Sequence, residues 1–283
     1  MNGKSSNREE REFELTSRDF DRLKKIVGEQ TGIVLTDGKR NMVYGRLARR
    51  LRALNMDSFS SYIQLIESDE DELVNFINSV TTNLTAFFRE KHHFEYLRDT
   101  VLPQLLINNQ SRQKIRIWSA GCSTGEEPYS LAITVKAFFE NHPGWDVKIL
   151  ATDIDTNVIA QAASGIYTKE RIDGLDGKLI KRWFLKGKEG KNGMVKVRQE
   201  LQELIDFKQL NLLTPWPMKE PFDLIFCRNV VIYFDKPTKI KLFDNYADKL
   251  VNKGHLFIGH SETLFKISER FDSLGGTIYQ KKM

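Results

Sequence analysis

Glu126 and Glu127 are adjacent carboxylates placed directly after the small-residue stretch Gly121-Cys122-Ser123-Thr124-Gly125, which follows the apolar run Ile115-Arg116-Ile117-Trp118. A glycine turn leading from a buried strand into a helix brings backbone close to a ligand, and in dinucleotide sites that ligand is a pyrophosphate resting on bare N–H groups. Acids at the rim reverse the preference, because they repel phosphate and attract a cation. A further acid, Asp153, ends the run Val147 to Thr152 roughly thirty residues past the turn, where doubly wound sheets place the carboxylate that accepts both ribose hydroxyls. The competing role for Asp153 or Asp155 is to cap a helix expected over Thr156 to Ala163. S-adenosylmethionine, a nucleoside with a sulfonium and an amino group and no phosphate, meets these requirements.

The reacting end is read from Phe222 to Phe234, an apolar run that carries Arg228, Asn229 and Tyr233 where a core strand should end. Enzymes that methylate adenine or amide nitrogen usually show Asp or Asn, two prolines and an aromatic there, and this chain has no such motif. An oxygen acceptor is favoured. A carboxylate in particular suits Arg89, Arg228 and Tyr233 as partners.

These residues need a scaffold. From near Gln113 the pattern alternates strand and helix: a strand with Ile115, Ile117 and Trp118, a helix over about Pro128 to Asn141, and a second strand ending at Asp153. The expected fold class is α/β, a Rossmann-like sheet. It is interrupted by Arg182 to Leu185 and Met194 to Arg198, which flank a glycine-rich turn from Gly187 to Gly193, and by a third extended run, Leu204 to Phe207. Three short antiparallel strands would form a small inserted β-subdomain over about 166–207. Its edge could accept a peptide as an added strand, or the insertion could merely cover the pocket. Residues 1–82 read as an all-helical domain, with Thr16 or Ser17 capping a first helix that Thr31-Gly32 ends. A connecting segment and helix over 83–112 places Phe94, Leu97, Val101 and Leu105 on one face, and 113–283 is the cofactor-binding domain.

The chain has 283 residues, 40% hydrophobic and 29% charged, enough for a real core in one or two domains. No run approaches the ~18 apolar residues of a membrane span, and the polar start Met1 to Arg11 lacks a signal-peptide core, so a cytoplasmic location without membrane insertion is expected. Two cysteines and five histidines give no metal-ligand spacing. The net charge of +5 points to an acidic partner. Lys39, Arg40, Arg46, Arg49, Arg50 and Arg52 fall within one segment that has no acid. On a helix, Lys39, Arg46, Arg49 and Arg50 form a basic stripe beside Val43, Leu47, Leu51 and Leu54. No aromatics interleave the arginines and no nucleic-acid motif is present, so nucleic acid is not the expected partner.

The segments Thr82 to Glu90, Ser123 to Ser130, Thr152 to Asp155 and Phe226 to Phe234, with Gly259-His260-Ser261-Glu262, closely resemble the bacterial chemotaxis receptor methyltransferases, the CheR family. The resemblance implies a protein-glutamate O-methyltransferase that uses S-adenosylmethionine, leaves S-adenosylhomocysteine, and esterifies glutamates on chemoreceptor helices for sensory adaptation. It further implies that Asn83, Thr85 and Arg89 line the cofactor, that Glu127 and Asp153 bind it, and that Asn211 and Leu212 lie beside its adenine. Arg228 and Asn229 would lie near its methionine end, with Tyr233 near the transfer site. Gly121-Cys122 departs from the paired alanines of some members. Family likeness also implies that the basic helix from Lys39 to Arg52 faces the receptor and that the β-subdomain can bind a receptor's C-terminal pentapeptide. Arg89 has two open roles, orienting the substrate carboxylate or binding the cofactor's own.

Overall fold

The computed structural model describes residues 11–187 and 192–283. The polar start up to Glu10, and Lys188 to Lys191 of the expected glycine-rich turn, lie outside the described residues. The chain divides into two compact units at Thr81 and Thr82.

The first unit contains α1 (Ser17–Thr31), α2 (Arg40–Ala53), α3 (Phe59–Ser68) and α4 (Glu70–Val80). Thr16 caps α1 in a reciprocal box with Asp19, and Gly32 ends it in the left-handed conformation. Leu23, Val27, Val43, Leu47, Leu51 and Phe59 are fully withdrawn from water, so the apolar stripe of α2 faces the core. The neighbouring basic stripe is only partly a surface feature. Arg50 donates through Nε to buried Glu72 at 2.8 Å, beside the Tyr62 hydroxyl at 2.8 Å from the same carboxylate oxygen. Arg46 donates to the carbonyls of Ser79 and Thr81. Both guanidiniums therefore hold α2 against α4, and Lys39 and Arg49 are the exposed members of the stripe; Arg52, outside it, is also exposed and pairs with Glu12 at 3.2 Å.

In the second unit, α5 (His92–Tyr96) and α6 (Leu102–Asn108) are joined through a π-helical turn, Leu97–Val101, and Phe94, Leu97, Val101 and Leu105 are all buried. Strands β1 (Lys114–Ala120) and β2 (Asp146–Asp153) flank α7 (Glu126–Phe139), and α8 (Thr156–Ser164) follows. Next come β3 (Ile166–Thr168), α9 (Gly177–Trp183), β4 (Phe184–Lys186), β5 (Met194–Val197), α10 (Gln199–Gln202) and β6 (Ile205–Gln209). The remainder comprises β7 (Phe222–Cys227), α11 (Lys236–Lys249), β8 (Leu250–Ile258), β9 (Phe271–Gly275) and β10 (Ile278–Lys281). The main sheet runs β6-β2-β1-β7-β8-β10-β9, parallel as far as β8. Strand β10 is antiparallel to both its neighbours. Every residue of β7 is buried, as expected for a strand covered on both faces.

One expectation is corrected. The run Leu204 to Phe207 is not the third strand of the appendage. It enters β6, at the edge of the main sheet, where Ile149 pairs with Ile205 and Asp153 with Gln209. Its apolar side chains complete the large core, with Phe207 packed 5.8 Å from Tyr129. The small antiparallel sheet is instead β3-β5-β4, its missing member being the triplet Ile166–Thr168 immediately after the left-handed Gly165.

Candidate active site

The site is built where the parallel strands end. After β1, the N–H groups of Gly121 and Cys122 both donate to the Thr152 carbonyl, at 2.8 and 2.9 Å, tying the turn to the end of β2. Gly121 and Gly125 have φ of 91° and 97°. The close approach they permit is to protein rather than to a ligand: a Cβ on Gly121 would stand 2.3 Å from Val230 Cγ2, and one on Gly125 would stand 2.7 Å from the Tyr167 hydroxyl. Ser123, left-handed at φ 50°, sends its N–H to Asp153 Oδ2 at 2.8 Å. Asp153 Oδ1 accepts from the Asp155 N–H. Capping of α8 falls to Asp155, through Asn157 and Val158, so the half-buried Asp153 at the end of β2 is not a cap. Burial pushes Asp153 upward, while the backbone donors at Asp155 and Ser123 oppose that rise.

The two adjacent acids diverge. Glu126 turns into the protein, fully buried, accepting from Thr124 Oγ1 at 2.6 Å and standing 3.4 Å from Arg171. The acidic rim therefore has one member of this pair, Glu127. Its carboxylate accepts from Ser119 Oγ at 2.7 Å and from Arg228 Nη1 at 3.1 Å. Burial raises its pKa, with Arg228 and Ser119 acting against the rise.

Arg228, expected as a partner for a substrate carboxylate, is committed elsewhere. Its side chain is 2% exposed, lies under the Phe94 ring, and is held by Glu127, by Glu90 at 3.3 Å and by the Arg89 carbonyl. Glu90 also accepts from His260 Nδ1 at 2.9 Å and from its N–H at 3.2 Å. The segment before α5 thus lies as a strap across the strand ends. Asn83 Nδ2 donates to Asp155 at 2.8 Å, the Asn83 carbonyl accepts from Ser123 Oγ, and the Thr85 carbonyl accepts from Arg171. Arg89 reaches back to the Leu84 carbonyl at 2.9 Å and is half-buried. Asn211 follows β6, its Oδ1 accepting from the Leu213 N–H, with Leu212 buried beside it.

Beyond β7, Asn229 takes the left-handed conformation, and Tyr233 closes a 3₁₀ turn, half-buried. One carboxylate organises this corner. Buried Glu262 accepts from the N–H groups of Gly259, Asn229 and Ile232 at 2.6, 2.9 and 3.2 Å. Phe88, Glu90, Ser123 and Asn229, all left-handed without being glycine, surround the site, a concentration of local strain of the kind functional sites hold. Sequence reasoning assigned no role to Glu90, Ser119 or Glu262. Glu90 and Glu262 left a signal, each as the last residue of a segment already singled out, and Ser119 left none.

The family description "CheR methyltransferase, all-alpha domain" matches residues 18–81, and "CheR methyltransferase, SAM binding domain" matches residues 83–280. The chain belongs to the CheR methyltransferase family. Chemotaxis protein methyltransferase 2 of Pseudomonas aeruginosa is 44% identical over 270 residues, 95% of this chain and 94% of that one. The chemotaxis protein methyltransferase of Escherichia coli is 44% identical over 269 residues, 94% of this chain and 91% of its own length. The Salmonella typhimurium protein of the same name is 43% identical over 269 residues, 94% and 90% of the two chains. As a CheR methyltransferase, the chain uses S-adenosylmethionine. Its residues fit that cofactor: Glu127 and Asp153 stand at the ends of neighbouring elements, and the turn between them spends its N–H groups on Thr152 and Asp153 rather than on a phosphate. Among the described residues, no helix is long and apolar enough to cross a membrane.

Proposed function

We propose that this CheR methyltransferase esterifies glutamate side chains on the cytoplasmic helices of bacterial chemoreceptors, acting in the cytoplasm. The observation that carries the reading is the pairing of an acid-walled cofactor site with half-buried Arg89 and Tyr233, and no amine-holding motif after β7. In this reading Asn83, Thr85, Arg89, Glu127, Asp153, Asn211, Leu212, Arg228 and Asn229 hold the cofactor, with Arg228 acting through Glu127.

S-adenosylmethionine supplies an activated methyl group. A glutamate carboxylate is already ionised near neutral pH, so the protein needs no general base. Its residues position. Arg89 and the Tyr233 hydroxyl orient the acceptor oxygen in line, while the surrounding buried side chains exclude water that would solvate it. Because the acceptor is already ionised, no residue has to take or hold a proton at its oxygen.

Recognition of the acidic receptor helix falls to exposed Lys39 and Arg49, with Arg52 exchanging its exposed pair with Glu12, since Arg46 and Arg50 are held against α4. A receptor's C-terminal pentapeptide would add to an outer strand of the small sheet, β3 or β4, because β5 is central. The test is transfer of methyl-labelled cofactor to a receptor cytoplasmic fragment, counting label released as methanol by mild base. Base-labile label on glutamate is the expected result. Cofactor binding without labelled receptor, with or without a terminal pentapeptide, would overturn it.

A further inference from the structure

Arg228 lies between two carboxylates, with Nη1 3.1 Å from Glu127 Oε2 and Nη2 3.3 Å from Glu90 Oε2. All three side chains are withdrawn from water, the arginine 2% exposed and each glutamate 10%. One acid is enough to neutralise a buried guanidinium. A second adds a desolvation cost and leaves the cluster with one excess negative charge.

Nearby groups do not cancel that charge. His93 Nδ1 stands 3.5 Å from Glu90 Oε2, but burial, reinforced by Arg228, holds this imidazole at about 4, so it is neutral at pH 7. His260 bonds Glu90 from a side chain that is 69% exposed, where water screens any charge it carries. Glu90 itself stays ionised. Its pKa falls to about 2: burial, the largest influence, works against the fall and is outweighed by His260 and Arg228. The backbone at Glu90 is left-handed, with φ 55°.

The methyl donor and its product differ by one charge. S-adenosylmethionine carries a sulfonium, whereas S-adenosylhomocysteine carries a neutral thioether, and their amino and carboxylate groups are the same. We propose that Glu90 is a positioning and charge-setting residue that, through the excess negative charge it gives the Arg228 cluster, shifts the affinity ratio toward the charged cofactor and away from its neutral product. This rests on the reading of Glu127 as the acid that binds the cofactor.

The experiment is titration calorimetry of S-adenosylmethionine and S-adenosylhomocysteine on the full chain and on Glu90→Gln, which keeps shape and removes charge. The expected result is S-adenosylmethionine weakened about three- to tenfold, with the product changed less than about twofold, the scale of one charge acting across several ångströms of partly screened protein. Glu90→Asp, which keeps the charge, should restore the wild-type ratio. A loosened pocket would weaken both ligands alike, and that outcome, or an unchanged ratio, overturns the proposal. Glu127→Gln separates the two readings: it should weaken both ligands, S-adenosylmethionine the more because the same cluster charge is removed, and no effect on either would sink the cofactor assignment itself. If Glu90→Gln does not fold, Glu90→Leu, neutral and of similar size, serves the same comparison.

Discussion

Arg89 and Glu262 show how differently two residues can serve one site. Arg89 keeps its guanidinium half-exposed and makes a bond to the Leu84 carbonyl, so it is available to a carboxylate. Arg89→Ala is expected to lower turnover at saturating cofactor by ten- to a hundredfold, the effect of a lost orienting contact. A raised cofactor dissociation constant with unchanged turnover would assign it to cofactor binding alone. Glu262 touches no expected substrate atom, yet three backbone donors converge on it. Glu262→Ala should cost about 2–4 kcal/mol, because buried N–H groups lose a charged acceptor, and urea unfolding would measure it. The places of Glu127 and Asp153 in the fold, at the start of a helix after a glycine turn and at a strand end, were legible from the alternation of strand and helix. The commitment of Arg228 was not legible, because Glu90 lies 138 positions earlier in the chain and only folding brings the two together.

At the scale of elements, the β1 turn is fitted to its neighbours rather than left open. Gly121→Ala meets two penalties, a left-handed φ and a Cβ 2.3 Å from Val230. A loss of more than about 2 kcal/mol is expected. Val230→Ala in the same chain should recover the part due to the clash and leave roughly 1 kcal/mol for the backbone, a difference resolved by denaturant melts of the single and double variants. The parallel strands and long helices could be read from periodicity. The partition of the insertion could not, since Ile166–Thr168 is too short for a periodic signal and β6 carries the same apolar character whichever sheet it joins. The helix over Phe94 to Leu105 was legible from its buried face, but its π-helical turn leaves no mark in composition.

For the molecule as a whole, acid should act first through histidines. Burial holds His93 and His255 at about 4, while the unfolded chain binds these protons near 6.5. A depressed pKa means stability that is fully present above 6.5 and is lost as pH falls from there toward 4, by up to about 1.4 kcal/mol per pH unit for each histidine. Glu90, at about 2, adds a loss below pH 4.5. Thermal melts between pH 7 and 4 should fall, and the fall should flatten in a His93→Phe variant. The exposed charges of α2 give a separate expectation: Arg49→Glu should raise the KM for receptor several-fold at low salt and leave cofactor affinity unchanged, whereas Arg50→Ala should destabilise the fold by uncovering Glu72. Finally, the strap has a bearing on where this chain can be divided. A fragment starting at Lys114 would retain every strand of both sheets, yet Asp155 would lose Asn83, and Arg228 would lose Glu90 and the Arg89 carbonyl. A piece that keeps these bonds therefore begins near Thr82, some thirty residues ahead of the first strand.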